Sequence, residues 1–166
     1  MSQQQHHYIT AMFVSPLGSF HTSLASVLSN ANVVLDHEAS AERALNRIRT
    51  EQLPVVLLTW ETDWHVFVAR LREMAHRPSL ILLLAHSDPA LWAEALQAGF
   101  VEAIPVQSDC DRLLAAVSAA YRRWQRLQLV RAALDQNPMA NSDMHGIDAL
   151  SRTDCLAPGL AATRSD

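Results

Sequence analysis

Thr59, Glu61, Asp63, His65, His86 and Asp88 stand just after two apolar runs, Val55–Leu58 and Leu80–Leu84. Such side chains hold cations, move protons or accept phosphoryl groups when a fold brings them together. Their spacing favours plainer roles. Two acids at the start of a helical segment complement its dipole, which is the expected role of Glu61 and Asp63; a divergent metal site is the alternative. His65 and His86, taken with Glu61 and Asp88, show no ligand spacing and read as solvated or capping groups rather than a zinc or acid–base site. Thr59 closes an apolar run, so a buried, hydrogen-bonded hydroxyl is expected there, with kinase phosphorylation as the alternative. Cys110 falls in Ser108-Asp109-Cys110-Asp111, a capping box whose helix start would activate a thiol and whose flanking aspartates oppose activation. An inert thiol is expected, with redox sensing as the alternative.

Two absences weigh as much as these residues. No lysine occurs in the chain, and its 4 glycines leave little material for a phosphate loop, a nucleophile elbow or a dinucleotide fingerprint, none of which is present. No catalytic residue, metal or cofactor is therefore expected.

The elements that must position these side chains follow from periodicity. Ile9–Val14, Val33–Leu35, Val55–Leu58, Leu80–Leu84 and Val101–Ile104 read as short buried strands. Between them, Leu17/Phe20/Leu24/Val27/Leu28, Ala41/Ala44/Leu45/Ile48, Trp64/Phe67/Val68/Leu71/Met74 and Leu91/Trp92/Ala95/Leu96 recur at helical spacing. Ser87-Asp88-Pro89 opens the last of these with a cap and a first-turn proline, and Gly99 closes it. Strands apolar on both faces, linked by single helices, call for a parallel sheet covered on both sides by right-handed crossovers. The fold class is α/β, a (βα)5 flavodoxin-like doubly wound parallel sheet of order 2-1-3-4-5 with an extended C-terminal helix. Its functional crevice lies outside the carboxyl ends of the strands.

Hydrophobic residues at 49% and charged ones at 18% in 166 residues describe one globular domain, and a net charge of -4 gives no global attraction to nucleic acid or anionic lipid. The apolar runs are too short to span a bilayer and the start Met1-Ser2-Gln3-Gln4-Gln5 has no signal-peptide pattern, so a cytoplasmic location is expected. Cys110 and Cys155 read as reduced thiols, and His6-His7 as a solvated terminus.

Leu84-Ala85-His86-Ser87-Asp88 and Ala98-Gly99-Phe100-Val101-Glu102-Ala103-Ile104-Pro105 resemble the fourth-strand exit and the turn into strand five of response-regulator receiver domains, CheY-like proteins. The resemblance covers about Tyr8 to Gln125. It implies two acids after strand one, an aspartate after strand three, a Ser/Thr after strand four and a lysine after strand five. This chain has Ser15-Pro16, Thr59, Leu84 and Val106-Gln107 at those places. Mg²⁺ needs hard anionic oxygens and a transferred phosphoryl group needs charge stabilisation, and these residues supply neither. Ala103 stands where the family often carries a switching aromatic. A degenerate form, a pseudo-receiver, is therefore expected.

The last helix starts at Ser108 by this reading and carries Leu113, Val117, Ala120, Trp124, Leu127, Val130 and Leu134 on one stripe, a length of ~27 residues or about 40 Å. A receiver sheet covers about half of it, so the distal half is expected to project with Trp124, Leu127, Val130 and Leu134, and Tyr121, Trp124, Leu127 and Val130 are expected contacts. With Trp92 and Ala103 on the neighbouring face, these are the expected interaction residues, engaging a protein partner or a second copy. Arg122, Arg123, Arg126 and Arg131 read as a solvated flank; a nucleic-acid regulator acting through them is the weaker alternative. The expected division is a receiver-like domain over 8–125, a projecting helix end over 126–135 and a mobile tail or linker over 136–166. Within that tail, Asp154-Cys155-Leu156-Ala157-Pro158-Gly159-Leu160 partly resembles the entry to diguanylate cyclase domains, but Ala157-Pro158 break the pattern and no cyclic-nucleotide activity is expected from it. The function expected is a phosphorylation-independent interaction module in bacterial signal transduction. A receiver with unconventional switching at Thr59 or Glu61, in a two-component or cyclic-dinucleotide pathway, is the alternative.

Overall fold

The computed structural model describes residues 8–17 and 20–136. Strands β1 (Ile9–Val14), β2 (Val33–Glu38), β3 (Val55–Thr59), β4 (Ser79–Leu84) and β5 (Glu102–Pro105) alternate with helices α1 (His21–Ser29), α2 (Ala41–Thr50), α3 (Trp64–Arg72), α4 (Pro89–Ala98) and α5 (Cys110–Gln136). The strands form one parallel sheet in the order β2-β1-β3-β4-β5. The five-strand flavodoxin-like arrangement and the extended last helix expected from the sequence are thus present.

Alternation of side chains along each strand divides the core into two layers. Met12, Val14, Val56, Leu58, Leu82 and Leu84 pack with residues of α2, α3 and α4. Phe13, Leu57, Ile81, Leu83 and Ile104 pack with α1 and α5. Every residue of β3 and β4 is buried, which is why Val55–Leu58 and Leu80–Leu84 are apolar without interruption.

The helix ends follow local chemistry. Asp88 Oδ1 accepts from the backbone N–H groups of Ala90 (2.9 Å) and Leu91 (3.1 Å), Pro89 fills the first turn, and Gly99 at φ 110° ends α4 in the left-handed region. Asp63 caps α3 through Val66 N–H (3.3 Å), and Ser40 caps α2 through Arg43 N–H (3.4 Å).

Several boundaries depart from the sequence reading. Strand β2 continues through Asp36-His37-Glu38, because Met12, Phe13 and Val14 of β1 extend the ladder and Arg47 neutralises both acids. Leu17 lies outside α1 and is 68% exposed, since that helix begins only at His21. Strand β5 begins at Glu102, after Phe100 has turned into the core against the edge of Trp64. Helix α5 begins at Cys110 rather than Ser108: its first amides, Arg112 and Leu113, donate to the Asp109 carbonyl, and no capping bond from the Ser108 hydroxyl is present among the described residues.

By its contacts the chain divides into two units, Met1–Leu129 and Val130–Asp166, and the sheet with all five flanking helices up to Leu129 belongs to the first. Among the described residues no helix is long and apolar enough to cross a membrane. Of the expected tail over 136–166, Gln136 is the last residue of α5, and the rest, with the segment from Asp154 to Leu160, Cys155 and His6-His7, lies outside the described residues.

Candidate functional site

The sheet order reverses between β1 and β3, and the crevice beyond their carboxyl ends is where this fold class binds ligands. Ser15 and Thr59 stand on either side of it, both fully buried. The Ser15 N–H donates to the Glu38 carbonyl (3.1 Å), and its own carbonyl sits 3.0 Å from His37 Nε2. Its Oγ has no hydrogen-bond partner among the described residues. Thr59 Oγ1 lies 3.5 Å from Thr62 Oγ1, which also reaches the Val14 carbonyl at 3.5 Å. Thr62 N–H bonds back to the Thr59 carbonyl at 3.0 Å, so the turn after β3 folds inward and sets a second buried hydroxyl against the first. Spacing alone held a faint signal for Thr62, since a residue three beyond a strand end returns over it only when the turn is tight.

The buried side chains beside these hydroxyls at the β4 end are uncharged. Leu84 is 2% exposed at the end of β4, and Val106 N–H donates to its carbonyl at 2.8 Å, which prolongs the β4–β5 pairing. Pro16 is exposed. Glu38 is the one buried ionisable side chain among the described residues, and it is already engaged: Arg47 Nη1 lies at 3.4 Å and Arg43 Nε at 3.6 Å. Arg47 also donates to Glu51 (2.8 Å) and Asp36 (2.9 Å), and these two carboxylates, Glu51 first, raise its guanidinium pKa further. Arg47 in turn holds the Glu51 carboxyl below the usual carboxylate range. This network on β2 and α2 escaped the sequence reading, because Arg47 meets Asp36 and Glu38 only through the fold.

The remaining chemical candidates separate. Glu61 is exposed while Asp63 is spent on capping α3. His65 stacks on Trp64 with ring centroids 3.6 Å apart and lies 3.7 Å from Glu94, and His86 is exposed. Among the described residues no three His, Cys, Asp or Glu side chains converge as a metal site would require.

A second region is built differently. On the face of α4, β5 and α5, Trp92 is 41% exposed and its Nε1–H donates to Glu102 Oε1 (3.1 Å), which also accepts from Arg112 Nη2 (3.5 Å). One carboxylate thus ties two helices to the edge strand. Beneath it Ala103 is fully buried, and its small side chain helps leave a hollow of about 240 Å³ bounded by Leu84, Trp92, Pro105 and Arg112.

Along α5, Leu113, Ala116, Val117 and Ala120 are buried against the sheet. Tyr121 is half-buried and stacks with Trp124 at 6.2 Å. Trp124 lines a shallow crevice with Ile48, Leu53 and Pro78, so it covers the amino-terminal ends of β3 and β4 instead of projecting past them. Exposure then rises: Leu127 is 46% and Leu129 71% exposed in the first unit, and Val130 56% and Leu134 65% in the second. Arg122, Arg123 and Arg126 are exposed.

No family model and no curated protein matches this sequence. Solved structures do. The signal receiver domain of a putative Luxo repressor protein from Vibrio parahaemolyticus is 16% identical, with a TM-score of 0.67 over 75% of this chain and 98% of that one. The signal receiver domain of the putative response regulator NarL from Mycobacterium tuberculosis is 20% identical, with a TM-score of 0.61 over 70% of this chain and 98% of that one. The beryllofluoride-activated NtrC4 receiver domain dimer is 19% identical, with a TM-score of 0.63 over 69% and 98%. The chain therefore has the fold of response-regulator receiver domains.

Proposed function

We propose that this protein is a phosphorylation-independent pseudo-receiver, a non-enzymatic interaction module of bacterial signal transduction that acts in the cytoplasm. One observation carries the reading: the strand-end crevice is filled by buried, uncharged Ser15, Thr59, Thr62 and Leu84. A phosphoryl acceptor there must be a carboxylate reached by Mg²⁺, and a fully buried threonine hydroxyl is neither anionic nor accessible to a kinase. Glu38, the nearest buried acid, is directed to Arg43 and Arg47 of α2. Interaction is assigned to two of the exposed apolar groups, Trp92 on the α4–β5–α5 face and Leu127 on α5. Exposed aromatic and aliphatic side chains beside polar groups are the usual anchors of protein contacts. The similarity to an NtrC4 receiver dimer supports a second copy as one such partner.

Intact-mass analysis after incubation with acetyl phosphate and Mg²⁺ tests the first half of the proposal, and no mass gain is expected. Light scattering of the chain and of Leu127→Glu tests the second. Association that weakens in the variant is expected, and a phosphorylated adduct or a monomer that captures no partner overturns the reading.

A further inference from the structure

A cavity of about 360 Å³ opens between α1 and α5 beyond the carboxyl ends of β4 and β5, on the opposite side of the sheet from the Trp92 hollow. Phe20, Leu24 and Val27 form one wall, and Ile104, Val106 and Leu113 the other. The volume falls within the range of small-molecule sites, and such sites combine an apolar lining with a few polar groups that fix orientation. Here those groups are the hydroxyls of Ser23 and Ser108, the amide of Gln107 and the Cys110 thiol, and among the described residues no charged side chain lines the cavity. A charged ligand would lose its hydration without a counter-charge, and a peptide would bring backbone N–H and C=O groups for which the walls offer few partners. An apolar space of this size holds water poorly, so an uncharged apolar molecule gains by filling it.

We infer that this cavity is a binding site for an uncharged, largely apolar small molecule of about one fused ring system, oriented by the Ser23, Gln107 and Ser108 rim. It lies apart from the Trp92 and Leu127 surface and goes beyond the interaction reading. Occupancy would hold α1 against the start of α5, the helix whose far end carries Leu127.

The test uses the intact chain and a matched pair of probes, N-phenyl-1-naphthylamine and its sulfonate, 1-anilinonaphthalene-8-sulfonate. The uncharged probe is expected to saturate at one per chain and to bind at least tenfold more tightly than the sulfonate. Methyl NMR should place its shifts on Leu24, Val27, Val106 and Leu113. Val106→Phe and Val27→Phe each fill the space and should weaken binding at least tenfold; circular dichroism melts show whether each variant remains folded. Non-saturable binding, equal affinity for the two probes, shifts centred on Leu127 and Leu129, or undiminished binding in a folded filling variant overturns the inference. So does an intact chain that binds neither probe, the result expected if the cavity is occupied by another part of the chain or by a second copy.

Discussion

The strand-end crevice and the α4–β5–α5 face lie within one domain and treat polar groups in opposite ways. At the crevice, hydroxyls are buried, those of Thr59 and Thr62 3.5 Å apart and that of Ser15 without a partner among the described residues, and the buried acid Glu38 is directed to α2. On the face, Glu102 is left in partial contact with solvent, between Trp92 and Arg112. A site that reacts needs the reverse of the first pattern, with anionic groups held apart from their natural partners at a cost in stability. The contrast teaches that the crevice is built as core and the face as surface, and it is the ground on which protein contacts are assigned to the face in the proposed reading.

The largest effect that tests this contrast is Thr59→Asp. A carboxylate at a fully buried position without a cation is expected to destabilise the chain by about 3 kcal/mol in urea denaturation, and to gain no phosphoryl group. A raised melting temperature would mean that the crevice still accommodates an acid. On the other region, Leu127→Glu is expected to weaken association at least tenfold, about 1.4 kcal/mol, while stability stays within ~0.5 kcal/mol. Concentration-dependent light scattering and paired urea curves separate the two quantities.

Thr62→Val sharpens the crevice side. It keeps the shape of the turn but leaves Thr59 Oγ1 without its partner, for an expected loss of about 1 kcal/mol. Unchanged stability would show that these 3.5 Å contacts contribute nothing.

The smallest effect is electrostatic. Glu51 has its folded pKa depressed by Arg47, so its contribution is present above the ordinary carboxylate range and is lost as pH falls through the folded value. Glu51→Gln should therefore lower stability at pH 7 and make less difference at pH 3, with a change of only a few tenths of a kcal/mol for this exposed pair. A penalty that grows on acidification would contradict the assignment.

The two covered faces of the sheet and the caps of α4 were legible from the sequence because each is encoded locally, and the strand order followed from the fold class that alternating strands and helices define. Uninterrupted Leu82-Leu83-Leu84 signals burial on both faces, and Asp88, Pro89 and Gly99 act within one helical turn of their own positions. The uncharged crevice positions Thr59 and Leu84 were legible for the same reason, as strand ends. The polar half of β2 was not, since Asp36 and Glu38 look like loop residues until Arg47 comes across from α2. Thr62 was hidden by the path of a turn. Trp124 was misplaced by counting helix length alone, which takes no account of how Leu53 and Pro78 extend the amino-terminal edge that it covers.

The most direct test of the central claim is a titration of the isotopically labelled protein with Mg²⁺ and then beryllofluoride, followed by amide NMR. An uncharged, filled crevice predicts that the Ser15, Thr59, Thr62 and Leu84 resonances stay where they are through both additions. Saturable Mg²⁺-dependent shifts at Ser15 and Thr59, enlarged by beryllofluoride, would contradict it.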